Sequence, residues 1–252
     1  MRFPSFNLQA GTFDIGRFGR APIELHAGFF LVALALTLPF WKRGTLSGLA
    51  LAVIGIAIIF GSVLIHELAH AMLARRYNIP VARIDIHMFG GTVMFGWRPS
   101  RLAQDVALTF AGPASNLMVA ALCYVLLLLL PDAAPRMVQY GSSMIQMGFE
   151  PPSLVERALT YAMYINLGLG LVNLLPAFPL DGGWIAYRVL THRFGRRRAG
   201  IVVGSLGVAL ATLSTLVLFG SLLAGMAIYA PPDFRSNLEA LSAARRGDPI
   251  LV

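Results

Sequence analysis

Two histidines four residues apart flank a glutamate in the run Ile65-His66-Glu67-Leu68-Ala69-His70. On a helix His66 and His70 share one face, with Glu67 beside them. Imidazole nitrogens suit zinc, and a carboxylate next to a ligand suits a general base acting on metal-activated water. That chemistry is hydrolysis. The setting narrows it further, because residues 48–73 are otherwise almost uncharged and long enough to span a bilayer. Ionisable groups at membrane depth are costly and mark function.

A catalytic zinc takes a third protein ligand and keeps one position for water. The acids in or near apolar segments are Glu24, Glu67, Asp105 and Asp181. His66 lies ten residues before Arg76, at the end of its apolar run, or roughly 15 Å along a helix. The third ligand must reach a similar depth. Asp181 stands where Pro176, Pro179, Gly182 and Gly183 permit a broken segment that dips back into the bilayer. Irregular backbone is tolerated there only where it lines a protein cavity. Asp181 is therefore preferred to Asp105. Asn116 and Asn173, amides within apolar spans, are candidates to donate hydrogen bonds to an oxyanion or to substrate backbone.

The elements that must position these residues follow from composition and pattern. The chain of 252 residues is 57% hydrophobic and 13% charged, about half the charged share of a soluble domain. A polytopic membrane protein is expected. Net charge is +8, and 19 of the 20 basic residues are arginine. No basic segment outside the spans carries interleaved aromatics, so nucleic acid is excluded as a partner and the lipid bilayer is the expected one. Cys123, the single cysteine, lies in an apolar span and reads as packing.

The spans are expected near 21–41, 46–75, 104–130 and 154–175, with a further apolar stretch over 199–230 that fits one long helix or a hairpin of two. Between the second and third, Val81 to Met88 alternates apolar and polar with period two, Phe89-Gly90-Gly91 offers a turn, and Thr92 to Phe95 can return. A lipid-exposed strand is forbidden, so this hairpin lies in water or is shielded by protein. It can pair with an unwound substrate strand, which makes Gly90 and Gly91 candidate substrate contacts. Residues 131–152 read as a loop.

The expected fold class is thus all-α and polytopic, with about six transmembrane helices and a small β-hairpin after the second. Residues 1–20 are a polar lead, 21–230 the transmembrane metalloprotease domain and 231–252 a polar, weakly helical tail. The first apolar stretch lacks a small-x-small cleavage site and reads as a retained helix. Thirteen basic residues fall in the lead and in the loops after spans two and four, against four after spans one and three. The positive-inside rule then turns the lead and the opening of the site toward the cytoplasm.

The chain resembles the site-2 protease family of intramembrane zinc metalloproteases. The resemblance rests on His66-Glu67-Leu68-Ala69-His70, Phe89-Gly90-Gly91, Ala111-Gly112-Pro113-Ala114-Ser115-Asn116, and Asn173 through Asp181-Gly182-Gly183, in that order, over about residues 20–200. It implies that His66, His70 and Asp181 bind one zinc ion and that Glu67 is the catalytic base. It also implies cleavage of a transmembrane segment in a partner protein, often after a first cut elsewhere, in a prokaryotic cytoplasmic membrane. The compact form is indicated, since these residues leave no room for the PDZ or CBS domain that family members often add. Trp184 stands where a basic residue is common in the family. A metal transporter would need further ligands along a pathway, and a non-cutting scaffold would have no use for Glu67.

Overall fold

The computed structural model describes residues 6–7, 11–42, 44–88, 90–131, 135–140, 143–149, 152–223 and 233–250. Its centre is α2 (Leu46–Arg76), a 31-residue helix with Thr45 as N-cap, the Thr45 side chain accepting from Gly48 N–H. Such a helix is about 47 Å long, more than a bilayer's hydrocarbon core requires. α3 (Leu102–Leu128) and α4 (Leu154–Asn173) pack against it. The line from Ser62 through His66 to His70 faces this bundle interior and is buried.

Among the described residues three helices are long and apolar enough to cross a membrane: α2, α3 and α6 (Arg196–Leu223), the last over Arg196–Val217. With the family reported below, they make this an integral membrane protein. The described residues do not show the expected six spans. α6 runs unbroken over 28 residues, so the hairpin reading of 199–230 fails up to Leu223. Residues 224–230 lie outside the described residues.

The first expected span is also redrawn. Residues 21–26 form a strand, β3 (Ala21–His26), and only α1 (Gly28–Trp41) is helical. At 14 residues α1 is about 21 Å long, short of a full crossing. The reason is a period of two inside the apolar run. Ala21, Ile23 and Leu25 are buried, while Pro22, Glu24 and His26 alternate with them.

β3 belongs to a five-stranded sheet that the all-helical expectation omitted. β1 (Phe6–Asn7), β2 (Thr12–Phe18), β3, β4 (Val81–His87) and β5 (Gly90–Phe95) lie in that order. All neighbours are antiparallel except β3 and β4, which are parallel with Ile23 opposite Ile84. Part of the expected polar lead is thus a strand of this sheet. The expected hairpin is β4–β5, with His87 opposite Gly90 and Ile86 opposite Gly91, so both glycines are strand residues rather than turn. The turn position Phe89 lies outside the described residues. One sheet face packs on α1 and α2 through Ile23, Leu25, Ile84, Ile86 and Val93 against Phe29, Ile59 and Val63. That burial shields the strands as a membrane setting requires.

Residues expected as a loop after α3 include a second antiparallel pair, β6 (Pro135–Tyr140) and β7 (Ser143–Phe149). After α4 the chain is irregular until α5 (Asp181–Phe194). The polar tail holds α7 (Phe234–Arg246), capped by Asp233, whose carboxylate accepts from the N–H groups of Arg235 and Ser236. α7 lies antiparallel on α6. Asn237, Leu241 and Ala244 stand over Gly207, Gly204 and Gly200, where added Cβ atoms would collide with them.

Candidate metal centre

His66, His70 and Asp181 come together from two distant helices. His66 Nε2 is 3.0 Å and His70 Nε2 3.3 Å from the same atom, Asp181 Oδ2. Each imidazole is fixed through its other nitrogen. His66 Nδ1 donates to Asn116 Oδ1 at 2.6 Å and His70 Nδ1 donates to the Leu108 carbonyl at 2.8 Å. With both rings neutral, this anchoring would leave the two Nε2 lone pairs facing a carboxylate oxygen, which is also an acceptor. Three acceptors at such distances repel unless a cation lies among them. Ligand atoms about 2.0–2.1 Å from a tetrahedral zinc stand roughly 3.3 Å apart, so the spacing fits that ion.

The fit extends to the surroundings. Gly112, on α3, passes so close that an added Cβ would press on both His66 and His70. This close approach of α3 to the two rings accounts for the glycine. Asp181 is the first residue of α5, where backbone N–H groups and the helix dipole favour a carboxylate. Among the described residues His66, His70 and Asp181 are the only group of metal-binding side chains.

Glu67 is 4% exposed and lines the same cavity of about 180 Å³ as His66, His70 and Asp181. Gly90, Gly91 and Asn173 line it too. At Gly91 a Cβ would strike the Glu67 carboxyl, so the glycine brings the β5 backbone directly against the acid. Asn173 donates to the Leu169 carbonyl with one amide hydrogen and keeps its place in the cavity wall.

Asn116, the other candidate amide, bonds within the protein. It is fully buried, and its Nδ2 hydrogens go to the Ser62 carbonyl (3.1 Å) and Asn166 Oδ1 (2.8 Å). Its amide is spent on orienting His66. Asn166, itself buried, donates to Ser62 Oγ and the Ala162 carbonyl. The sequence reading missed Asn166 and Ser62. A third amide inside an apolar span carried the same signal as the other two.

Asp105, the rejected ligand, is held elsewhere. Arg188 Nε stands 2.6 Å from Asp105 Oδ2 and Arg98 Nη1 3.5 Å from Oδ1. Both arginines also donate to Thr109 Oγ1. Burial pulls the Arg98 guanidinium below its usual range against the pull of Asp105 and Asp181. Trp184 lines the cavity, and the Arg188 guanidinium, one turn on, lies 5.3 Å from its ring centroid.

The segment before Asp181 is pinned from α7. Asn237, fully buried, accepts from the Phe178 N–H at 2.9 Å and donates to the Phe178 carbonyl at 2.6 Å. It was absent from the sequence reading, whose tail was only polar. The available signal was a helical stripe of Asn237, Ala240 and Ala244, too small in side chain to register as an apolar face.

These features define a class: helical membrane proteins with an internal metal site of two histidines and one aspartate beside a buried glutamate. The comparisons give the class its family. Residues 54–214 match the model for peptidase family M50, and the chain belongs to that family. It is 29% identical over 209 residues to the zinc metalloprotease MJ0392 of Methanocaldococcus jannaschii, covering 80% of this chain and 51% of that protein. It is 28% identical over 180 residues to stage IV sporulation protein FB of Bacillus subtilis, covering 70% and 51%. The chain thus spans about half the length of these two relatives. In fold it is similar to the solved site-2 protease from Methanocaldococcus jannaschii, with a TM-score of 0.60, 21% identity, and 96% and 97% of the two chains covered.

Proposed function

We propose that this protein is an intramembrane zinc endopeptidase that hydrolyses a peptide bond within or near a transmembrane segment of a membrane-protein substrate. The observation that carries this is the convergence of two anchored Nε2 atoms on Asp181 Oδ2, beside the buried Glu67. His66, His70 and Asp181 hold zinc, which when bound polarises a water molecule and the scissile carbonyl. Glu67 takes the proton the water loses as it adds to the carbonyl carbon, and returns it to the amide nitrogen as the C–N bond breaks. Asn173 donates to the carbonyl oxygen as it gains charge. The substrate, extended over the site, pairs with the β5 edge at Gly90 and Gly91. Arg75 and Arg76 end α2, and Arg196, Arg197 and Arg198 begin α6. Placing both clusters in the cytoplasm opens the site to that side of a prokaryotic cytoplasmic membrane.

The test uses purified protein in detergent with a model transmembrane substrate. Glu67→Gln keeps one zinc per chain and loses cleavage, and Asp181→Ala loses both. Cleavage retained by the Glu67 variant would defeat the mechanism.

A further inference from the structure

Next to the metal cavity lies a second recess of about 230 Å³, bounded by α1, α2, α4 and the β4–β5 hairpin. α1 and α4 touch through Phe40 and Tyr161, ring centroids 5.2 Å apart. Toward the hairpin the recess opens between them, walled by Phe29, Leu36, Ile59, Ile165 and Val172. Val63, His87, Gly90 and Leu169 line both cavities, so the two share a wall. Their chemistry differs. The first is walled by Glu67, Asp181, Arg98 and three histidines, whereas the second is almost wholly apolar.

Gly168 lies in the wall of the recess. An added Cβ there meets nothing within 4 Å, while at Gly170, on the same helix, it would meet Leu117 at 2.9 Å. Packing explains the second glycine and not the first. A side chain at Gly168 has room to extend without displacing a neighbour.

We propose that this recess is a specificity subsite that receives an apolar side chain adjacent to the scissile bond, with its depth set by Gly168. The proposal rests on the protease reading above. In an extended substrate alternate side chains point to opposite faces. With the backbone along β5 at Gly90, one of those faces looks into the recess. A side chain drawn from lipid into a water-bearing cavity loses its apolar surroundings and regains them there. One methylene in such a pocket is worth about 10- to 200-fold in kcat/KM.

The experiment compares substrates carrying Ala, Leu or Phe at each position flanking the cleaved bond, cut by the zinc-loaded protein. One position should favour Leu or Phe over Ala by about tenfold or more in kcat/KM. Gly168→Ala, Gly168→Val and Gly168→Leu should erode that ratio progressively, mainly by raising KM for the larger side chain, and Val172→Ala should shift preference toward Phe. A ratio within a single preparation cancels losses of folded protein, and the graded series guards against one variant failing to fold. An unchanged preference across the Gly168 series overturns the proposal. So does a series whose activity instead follows the acyl-chain length of added lipid, which would assign the recess to a lipid tail. No cleavage of any substrate by the unaltered protein with its zinc bound defeats the protease reading itself, and the subsite with it.

Discussion

Asn237→Ala tests whether a helix outside the metal-binding motifs governs the metal. In the folded protein Asn237 satisfies both backbone groups of Phe178, three residues before Asp181. Truncation leaves a buried N–H and a buried carbonyl without partners, at about 1–3 kcal/mol each. The combined cost is roughly 2–6 kcal/mol, and part of it is recovered if the segment relaxes. Relaxation moves Asp181 away from the histidines, so zinc affinity falls. At about 1.4 kcal/mol per tenfold, a loss of ~30-fold or more is expected. The assay is competition for zinc against a chromogenic chelator, with helical circular dichroism as the control for folding. Asn237→Asp keeps the acceptor for the Phe178 N–H but sets an acceptor against the Phe178 carbonyl, so it should not restore affinity. A folded Asn237→Ala protein that binds zinc as tightly as the unaltered one would refute the coupling of α7 to the metal site.

Asn116→Ala removes the acceptor that fixes His66 and should weaken zinc binding by about 10- to 100-fold, read in the same competition. Gly112→Ala drives a methyl group into His66 and His70, so metal analysis should find substoichiometric zinc in protein of unchanged helicity. Asp105→Ala strands the Arg188 guanidinium, which is 14% exposed, and should cost about 3–5 kcal/mol, measured as a lowered Tm in detergent. Asp233 gives a pH dependence. Burial works to raise its carboxyl pKa, but hydrogen bonds from Ser236 and the backbone N–H groups of Arg235 and Ser236, with the Arg235 charge, hold it lower. A depressed folded value stabilises above the unfolded pKa and is lost as pH falls through the folded one. Protease nicking of α7 should therefore increase below about pH 4, and Asp233→Asn should flatten that rise.

How much of this was legible in the chain depends on range. His66, Glu67 and His70 announce themselves because their spacing is that of one helix turn, a local property. Asp181 could be chosen because depth along a helix and the need for a broken segment are simple geometry. The hairpin was visible from its alternation. β3 was not, because its alternation sits inside an apolar run continuous with α1, and a parallel partner 61 residues on, Ile84 for Ile23, leaves no local mark. The tail read as weakly helical, but the docking of α7 was not visible for a related reason: its buried face is Asn and Ala, shaped to fit the glycines of α6. Asn116 was noticed, but its partners were not visible. An amide in a span signals a hydrogen bond, but whether it points at substrate or at His66 depends on where α3 lies against α2.

The central claim is that His66, His70 and Asp181 share one zinc ion. X-ray absorption at the zinc edge of the metal-loaded protein measures it most directly. Two imidazole nitrogens and a carboxylate oxygen at about 2.0–2.2 Å are expected, with Asp181→Ala losing the oxygen and most of the metal. A zinc environment unchanged by Asp181→Ala, or one without two imidazoles, would contradict it.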